Sequence, residues 1–385
     1  MHVLLLPSWY PVSADDLNGT FFRQQAQALA RAGVQVGVAA PVFRSLRGEF
    51  SSLWRGPYGR QTCREHGVAT HIHHSMLFFP RLPYLDRCRW LAAGEALFEA
   101  YAAEHGRPNV LHAHCLNYGG ILAGRIARRH HIPFVVTEHS STYARGLIRP
   151  WQQKAMRQAA EAAAVRLAVS RPFCRLLENY FPGTDWQYLP NMLDNLFAAA
   201  PLPDKTPDRP FAFCAVGHLH RHKGFDIVLD AFALAAAQMP GITLHIGGGG
   251  SEAAALAAQA GRLNIENAVT FHSALSRQGV QDLMRRCDAF VLASRAETFG
   301  IVLIEALSQG LPLAATANDG PCSVITPERG LLVPNDDPAA LARAMIALCR
   351  NRSAYPPHTL RASALAEFDE TAVIGQLLAH YRSAV

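Results

Sequence analysis

Short apolar runs alternate with longer stretches of helical period from the first residue onward. Val3–Leu6 reads as a buried strand, Phe21–Ala32 as an amphipathic helix that Gly33 stops, and Val34–Ala39 as a second buried strand. Further strands are expected at Val110–His112, Phe134–Thr137 and Arg166–Val169, the last following an alanine-rich helical stretch over Trp151–Val165. Strands separated by helices predict a parallel sheet covered on both faces. The alternation breaks at residues 201–210, where Pro201, Pro203, Pro207 and Pro210 can continue neither regular element, so the inter-domain linker is placed there. It then resumes with strands Phe211–Val216, Thr243–Ile246, Val269–Phe271, Ala289–Leu292 and Leu313–Ala315. Helices are expected between them at Asp226–Gln238, Glu252–Leu263, Gly279–Arg286 and Ile301–Gln309. The predicted class is α/β, with two doubly wound domains. A last amphipathic stretch, Thr371–Arg382, caps one domain or crosses back to the other.

Residues 43–91 do not follow the pattern. They mix Arg44, Arg47, Arg55 and Arg60 with Trp54, Phe78, Phe79, Tyr84 and Trp90 among several prolines. Two readings stand: an acceptor loop or membrane-surface patch, since cations beside exposed aromatics suit an anionic lipid interface, or a long ordered excursion packed on its own domain.

A length of 385 residues with 50% hydrophobic and 17% charged residues fits a globular chain of two to three domains and excludes a disordered or collagen-like one. The net charge is +6 and the pI about 9.0, and Lys154, Lys205 and Lys223 are the only lysines. That balance permits anionic partners. Nucleic acid is not expected, because no basic run with interleaved aromatics occurs. Eight scattered cysteines without a CxxC pair predict a reduced, cytoplasmic protein. The amino terminus lacks the pattern of a signal peptide, and no run of 18 apolar residues is present.

Ligands of doubly wound sheets sit outside the carboxyl ends of the strands. Beyond the strand ending at Leu292, a loop carries Glu297 and Gly300, and a helix begins near Ile301. Free amides at such a helix start make an anion site. Glu305, inside that apolar helix, needs a partner for its buried carboxylate. Ligand hydroxyls such as a ribose diol are one solution, and an internal ion pair with an arginine is the other. Gly19 precedes the first helix, where a missing side chain would let a phosphate or sugar approach the backbone. The Gly247–Gly250 run follows a strand without forming a GxGxxG fingerprint. His112 and His114 could be read as metal ligands, but i,i+2 spacing without a third ligand is thin support. No Asp-x-Asp pair occurs in the chain, and no metal or other cofactor is expected.

The segment ETFGIVLIEALSQGLP at 297–312 resembles the E-x7-E signature of retaining glycosyltransferases of GT-B fold, family GT4. NGTFFRQQAQALARAGVQVGVAAP near the start, TEHSS at 137–141, LPNMLD at 189–194, GHLHRHKGFD at 217–226 and IGGGG at 246–250 follow in the family's order. The resemblance implies two Rossmann-like domains facing a cleft. Residues 1–195 would bind acceptor, 196–367 would bind a nucleotide-sugar, and a C-terminal helix at 368–385 would return to the first domain. It implies transfer of a hexose or N-acetylhexosamine to a glycan or lipid-linked acceptor in cell-surface polysaccharide assembly. UDP-sugars are the favoured donors and GDP-mannose the competitor, at the inner face of the membrane. Glu305 would hold the ribose and Glu297 the transferred sugar. The amides of Phe299, Gly300, Ile301 and Val302 would meet sugar and diphosphate, with Gly19, Gly217 and Gly248 contributing backbone to the donor site. Lys223 would balance the leaving diphosphate, and His139 would touch the donor sugar. The sequence departs from the family at His218, where an arginine is usual; Arg221 stands near to compensate. An epimerase or phosphorylase of the same architecture, or a nucleotide-sugar-binding protein impaired in catalysis by that departure, are the alternatives.

Overall fold

The computed structural model describes residues 1–11, 19–45, 56–79, 81–204 and 209–385. The chain divides into two compact units, one of Met1–Val169, Cys174–Leu189 and Ile374–Val385, the other of Ser170–Phe173 and Pro190–Val373.

Among its described residues the first unit carries eight strands: β1 (His2–Pro7), β2 (Gln35–Ser45), β3 (Gly59–Glu65), β4 (Val68–Leu77), β5 (Val110–His114), β6 (Phe134–Glu138), β7 (Val165–Ala168) and β8 (Gln187–Tyr188). They lie in the order β3-β4-β2-β1-β5-β6-β7-β8, and all neighbours are parallel except β3 and β4. The central strands are fully buried, as their unbroken apolar sequences require of a sheet covered on both faces. The second unit carries β9 (Ala212–Val216), β10 (Thr243–Gly247), β11 (Val269–His272), β12 (Ala289–Leu292), β13 (Leu313–Thr316) and β14 (Gly330–Val333), all parallel, in the order β11-β10-β9-β12-β13-β14. Its core gathers Phe213, Ile246, Val291 and Ala314 from the sheet with Val228, Phe232, Leu341 and Met345 from two covering helices. Burying each of the larger side chains contributes about 1.5–3 kcal/mol.

The region 43–91 resolves into sheet and helix. β3 and β4 form an antiparallel pair, and a helix runs from Pro83 to His105. The sequence pattern hid β3 because its residues GRQTCRE are polar and lie exposed at the sheet edge, and β4 because histidines interrupt its apolar run. Trp90 is buried and its indole donates to the Pro41 carbonyl at 2.9 Å, whereas Phe78, Phe79 and Tyr84 are exposed. Arg44 lies over the Tyr58 ring, and Arg60 donates to the Ala96 carbonyl. Arg47, Trp54 and Arg55 lie outside the described residues, as do Lys205–Asp208 of the proline-rich linker.

The final helix, Glu370–Ala384, contributes Ile374 onward to the first unit. Its Tyr381 is fully buried there, with its hydroxyl 2.7 Å from Nδ1 of His112. Among the described residues no helix is long and apolar enough to cross a membrane.

Candidate functional site

In the second unit two loops beyond strand carboxyl ends carry the candidate residues. The first leaves β9 as Gly217-His218-Leu219-His220, makes one 3-10 turn over Arg221–Lys223, and enters the helix Phe225–Gln238 through Gly224. Gly224 is left-handed at φ 66°, and a Cβ there would stand 1.9 Å from the Ala293 carbonyl oxygen, so glycine is needed twice over. The Gly217 amide donates to Gly247 and the Leu219 amide to Gly249, seating this loop on the glycine run. A Cβ on Gly248 would lie 1.9 Å from the Gly217 oxygen. Glycine at 248 is thus explained by backbone packing against the loop that carries His218.

The second loop leaves β12 and reaches the helix Ile301–Ser308 through Gly300, which caps it at φ 81°. The amides of Phe299, Gly300, Ile301 and Val302 donate to no backbone carbonyl among the described residues. They are the orphan donors of a helix start. The loop is pinned where the Gly320 amide donates to the Glu297 carbonyl and where Thr316 donates to the Ser294 carbonyl.

The two loops meet through side chains. Lys223 Nζ lies 2.6 Å from Glu297 Oε2, both groups partly buried. Arg295 holds Asp226 with two parallel bonds of 2.9 and 2.8 Å, reaches Asp336 at 2.8 Å, and donates to the Arg221 carbonyl at 2.7 Å. The Arg295 guanidinium outweighs partial burial and holds the Asp226 carboxyl below its usual value. Arg295 therefore fixes the turn bearing Lys223, a role that sequence reasoning missed although the residue lies inside the signature stretch. Arg221 itself is exposed. The rings of His218, His220 and His222 are stacked at successive 6.0 Å spacings. Partial burial, with His220 and Lys223 adding, holds His218 below the usual histidine value.

Glu305 is 2% exposed. Its Oε1 stands 2.7 Å from Arg277 Nη2, and Arg277 also reaches Asp194 Oδ2 at 2.9 Å while lying over the Phe197 ring. The internal arginine pair considered from sequence is present. Burial pushes the Glu305 carboxyl up, and Arg277 opposes that shift. Arg277 gave no sequence signal, because nothing ties it to Glu305 before folding.

In the first unit His139 follows β6, and its Nε2 is 3.1 Å from Nδ1 of His114. Phe21 and Phe22 of the first helix pack on the same rings. His112 bonds Tyr381 and, through Nε2 at 2.8 Å, Thr137. Burial lowers its pKa to about 3, and burial beside two other histidines lowers that of His114 far below the usual value. Both are neutral core histidines, with His112 held by Thr137 and Tyr381. Gly19 adopts φ 79°, and a Cβ there would press on Trp9 at 3.0 Å and Phe22 at 3.1 Å.

Glu138, another residue sequence reasoning passed over, is the hub of this strand-end region. Its buried carboxylate accepts from the amides of Leu116, His139 and Ser140 and from the Tyr143 hydroxyl, at 2.8 to 3.0 Å. These bonds fix the irregular segment after β5, where Cys115 and Tyr118 hold positive φ of 66° and 72°. A cavity of about 250 Å³ opens beside it, lined by Trp9, Asn117, Glu138, Thr142, Leu147 and Met156 among others. Asn117 Oδ1 is buried with no partner among the described residues.

Two Rossmann-like parallel-sheet units, with loops of this kind beyond the strand ends of each, are the architecture of GT-B glycosyltransferases. Residues 19–195 match the profile described as Glycosyltransferase Family 4, and residues 203–363 match Glycosyl transferases group 1. The chain is 31% identical over 297 residues to phosphatidyl-myo-inositol mannosyltransferase of Mycobacterium tuberculosis, covering 72% of this chain and 75% of that protein. It is 30% identical over 314 residues to D-inositol 3-phosphate glycosyltransferase 1 of Catenulispora acidiphila, covering 73% of each. Among solved structures, sucrose-phosphate synthase of Thermosynechococcus elongatus superposes with a TM-score of 0.78 at 20% identity, over 99% of this chain and 98% of that one. Anabaena HepE in complex with UDP and glucose gives 0.72 at 18% identity over the whole of both chains. The protein belongs to glycosyltransferase family 4 and has the GT-B fold.

Proposed function

We propose that this glycosyltransferase moves a hexose or N-acetylhexosamine from a nucleoside-diphosphate sugar to a glycan or lipid-linked hydroxyl, with retention of configuration and without a metal ion. The observation that carries the reading is the Lys223–Glu297 pair, set in the same two loops as the orphan amides of residues 299–302. A cation and a helix start in one region provide for a diphosphate; a carboxylate beside them provides for sugar hydroxyls. A UDP-sugar is the first donor to test, with HepE bound to UDP-glucose as support, and GDP-mannose the second, with the mannosyltransferase relatives as support.

In the proposed step the bond between the anomeric carbon and the β-phosphate oxygen breaks, and the acceptor oxygen bonds that carbon on the same face. The acceptor's proton passes to the departing phosphate. Lys223, with the amides of Phe299, Gly300, Ile301 and Val302, stabilises the charge left on the diphosphate. Glu297 orients the sugar, Glu305 accepts from the ribose while Arg277 offsets its charge, and His218, Arg221 and the backbone at Gly217 and Gly248 border the diphosphate. The acceptor enters the first unit at the cavity beside Glu138, where a hydroxyl can donate to Asn117 Oδ1. Exposed Phe78, Phe79, Leu82 and Tyr84, with Arg87 stacked over Tyr84 and Trp151, provide the contact with an anionic membrane surface.

The test is turnover of UDP- and GDP-sugars with and without a lipid or glycan acceptor, read by NMR of the anomeric proton. Product that keeps the donor's configuration supports the reading. Inverted product, or donor interconversion needing no acceptor, contradicts it.

A further inference from the structure

β4 and the last turn of the helix Pro83–His105 bring together three side chains that the transfer reaction does not use. His71 Nε2 is 3.6 Å from Glu104 Oε2, and His105 Nε2 is 3.5 Å from Glu104 Oε1. One ligand atom from each of the three lies within 4.8 Å of the others. Ligand atoms bound to a tetrahedral zinc at about 2.0–2.1 Å are separated by roughly 3.3 Å. The two Glu104 spacings need to close by a few tenths of an ångström, and the widest of the three, up to 4.8 Å, by up to about 1.5 Å. We propose that His71, Glu104 and His105 form a site for a divalent cation of the zinc class, completed by water, which staples β4 to this helix.

The surroundings suit that cation. Two imidazoles and one carboxylate are ligands zinc favours. The helix carboxyl end supplies about half a negative charge where Glu104 and His105 project. Tyr101 packs against both rings, at centroid distances of 5.4 and 4.8 Å, and its hydroxyl is fixed 2.7 Å from Nε2 of His2. His71 Nδ1 is buried without a partner among the described residues. The site is graded from a buried ligand at His71 to an open one at Glu104, which gives an ion a path from solvent. His71 lies in the amino-terminal half of β4, paired with Ala39 of β2, and His105 precedes the start of β5. The cluster thus stands at the sheet edge opposite the strand ends that carry Glu138 and His139, and its role is structural.

Chelator-treated full-length protein titrated calorimetrically with zinc chloride, and followed in parallel by cobalt absorbance, tests the site. One equivalent should bind, with the visible bands of tetrahedral cobalt. Loss of an outer-shell partner alone weakens metal sites by about 10–100-fold, so Glu104→Gln and His105→Ala should each weaken binding at least about tenfold. Glu104 is exposed and His105 half-buried against Tyr101, and circular dichroism verifies the folding of both variants. His71→Ala should abolish binding. Wild-type protein that takes up no zinc, or binding unchanged in Glu104→Gln and His105→Ala, would overturn the proposal.

Discussion

Replacing Lys223 by alanine probes the proposed chemistry at its most specific point. A unit charge about 3 Å from a phosphate oxygen, at an effective dielectric constant of about 20, is worth roughly 5 kcal/mol before desolvation. Loss of one fixed donor to a developing anion costs about 2.7–4 kcal/mol, or about 10²–10³ in kcat. Lys223 is one-quarter exposed and Glu297 about half as much, so screening trims the interaction without erasing it. Lys223→Ala also leaves Glu297 without its partner near the diphosphate, so donor binding should weaken as well as turnover. Lys223→Ala/Glu297→Gln should recover part of the donor binding but not kcat. Steady-state kinetics with saturating acceptor and calorimetric donor affinity separate the two effects. A kcat within threefold of the unsubstituted enzyme in Lys223→Ala would refute the leaving-group role.

Arg277→Leu should destabilise the second unit by about 3–5 kcal/mol, because it strands the buried Glu305 carboxylate; Arg277→Leu/Glu305→Leu should recover much of that in urea unfolding. His218 is held below its usual pKa in the free protein, and a bound diphosphate would raise it, so donor binding should take up a proton. Donor affinity should rise as pH falls from about 8 towards 6, and His218→Arg should flatten that dependence; a pH-independent affinity in the unsubstituted protein would contradict it. His112 titrates near 3 when folded and near 6.5 when unfolded, so its stabilising contribution is complete above about pH 6.5 and is lost as pH falls below it. The loss by pH 5 is about 2 kcal/mol for this residue, and a melting temperature flat from pH 7 to about 5 would count against it. Glu138→Gln places an amide group among three N–H donors, and should raise the acceptor KM more than the donor KM.

Much of the molecule can be read from local pattern. The apolar runs that became β1, β6, β9 and β12 are short and separated by helical stretches, which reads as buried strands, and the glycine before Ile301 marks a helix start that the structure places at Ile301, capped by Gly300. What stayed hidden depends on residues meeting across the fold. β3 is polar because it is an edge, and the histidines of β4 meet separate partners, His71 facing Tyr101 and Glu104, His73 facing Phe43 and His74 bonding Gln61. Lys223 and Glu297 were each legible from their motifs, but their contact arises only when β9 and β12 pair in the sheet. Arg277 and Arg295 act by charge on partners in other elements, which no spacing rule reveals. Glu138 stood in view beside His139, yet its role follows from backbone amides that a sequence does not display.

The central claim is that the second unit binds a nucleoside-diphosphate sugar through the Lys223 and Ile301 loops. Calorimetric titration of the protein and of Lys223→Ala with UDP- and GDP-sugars tests it most directly. One nucleotide series should bind at one equivalent, with affinity lowered by the substitution. Absence of binding by either series, or equal affinity in both proteins, would contradict the account.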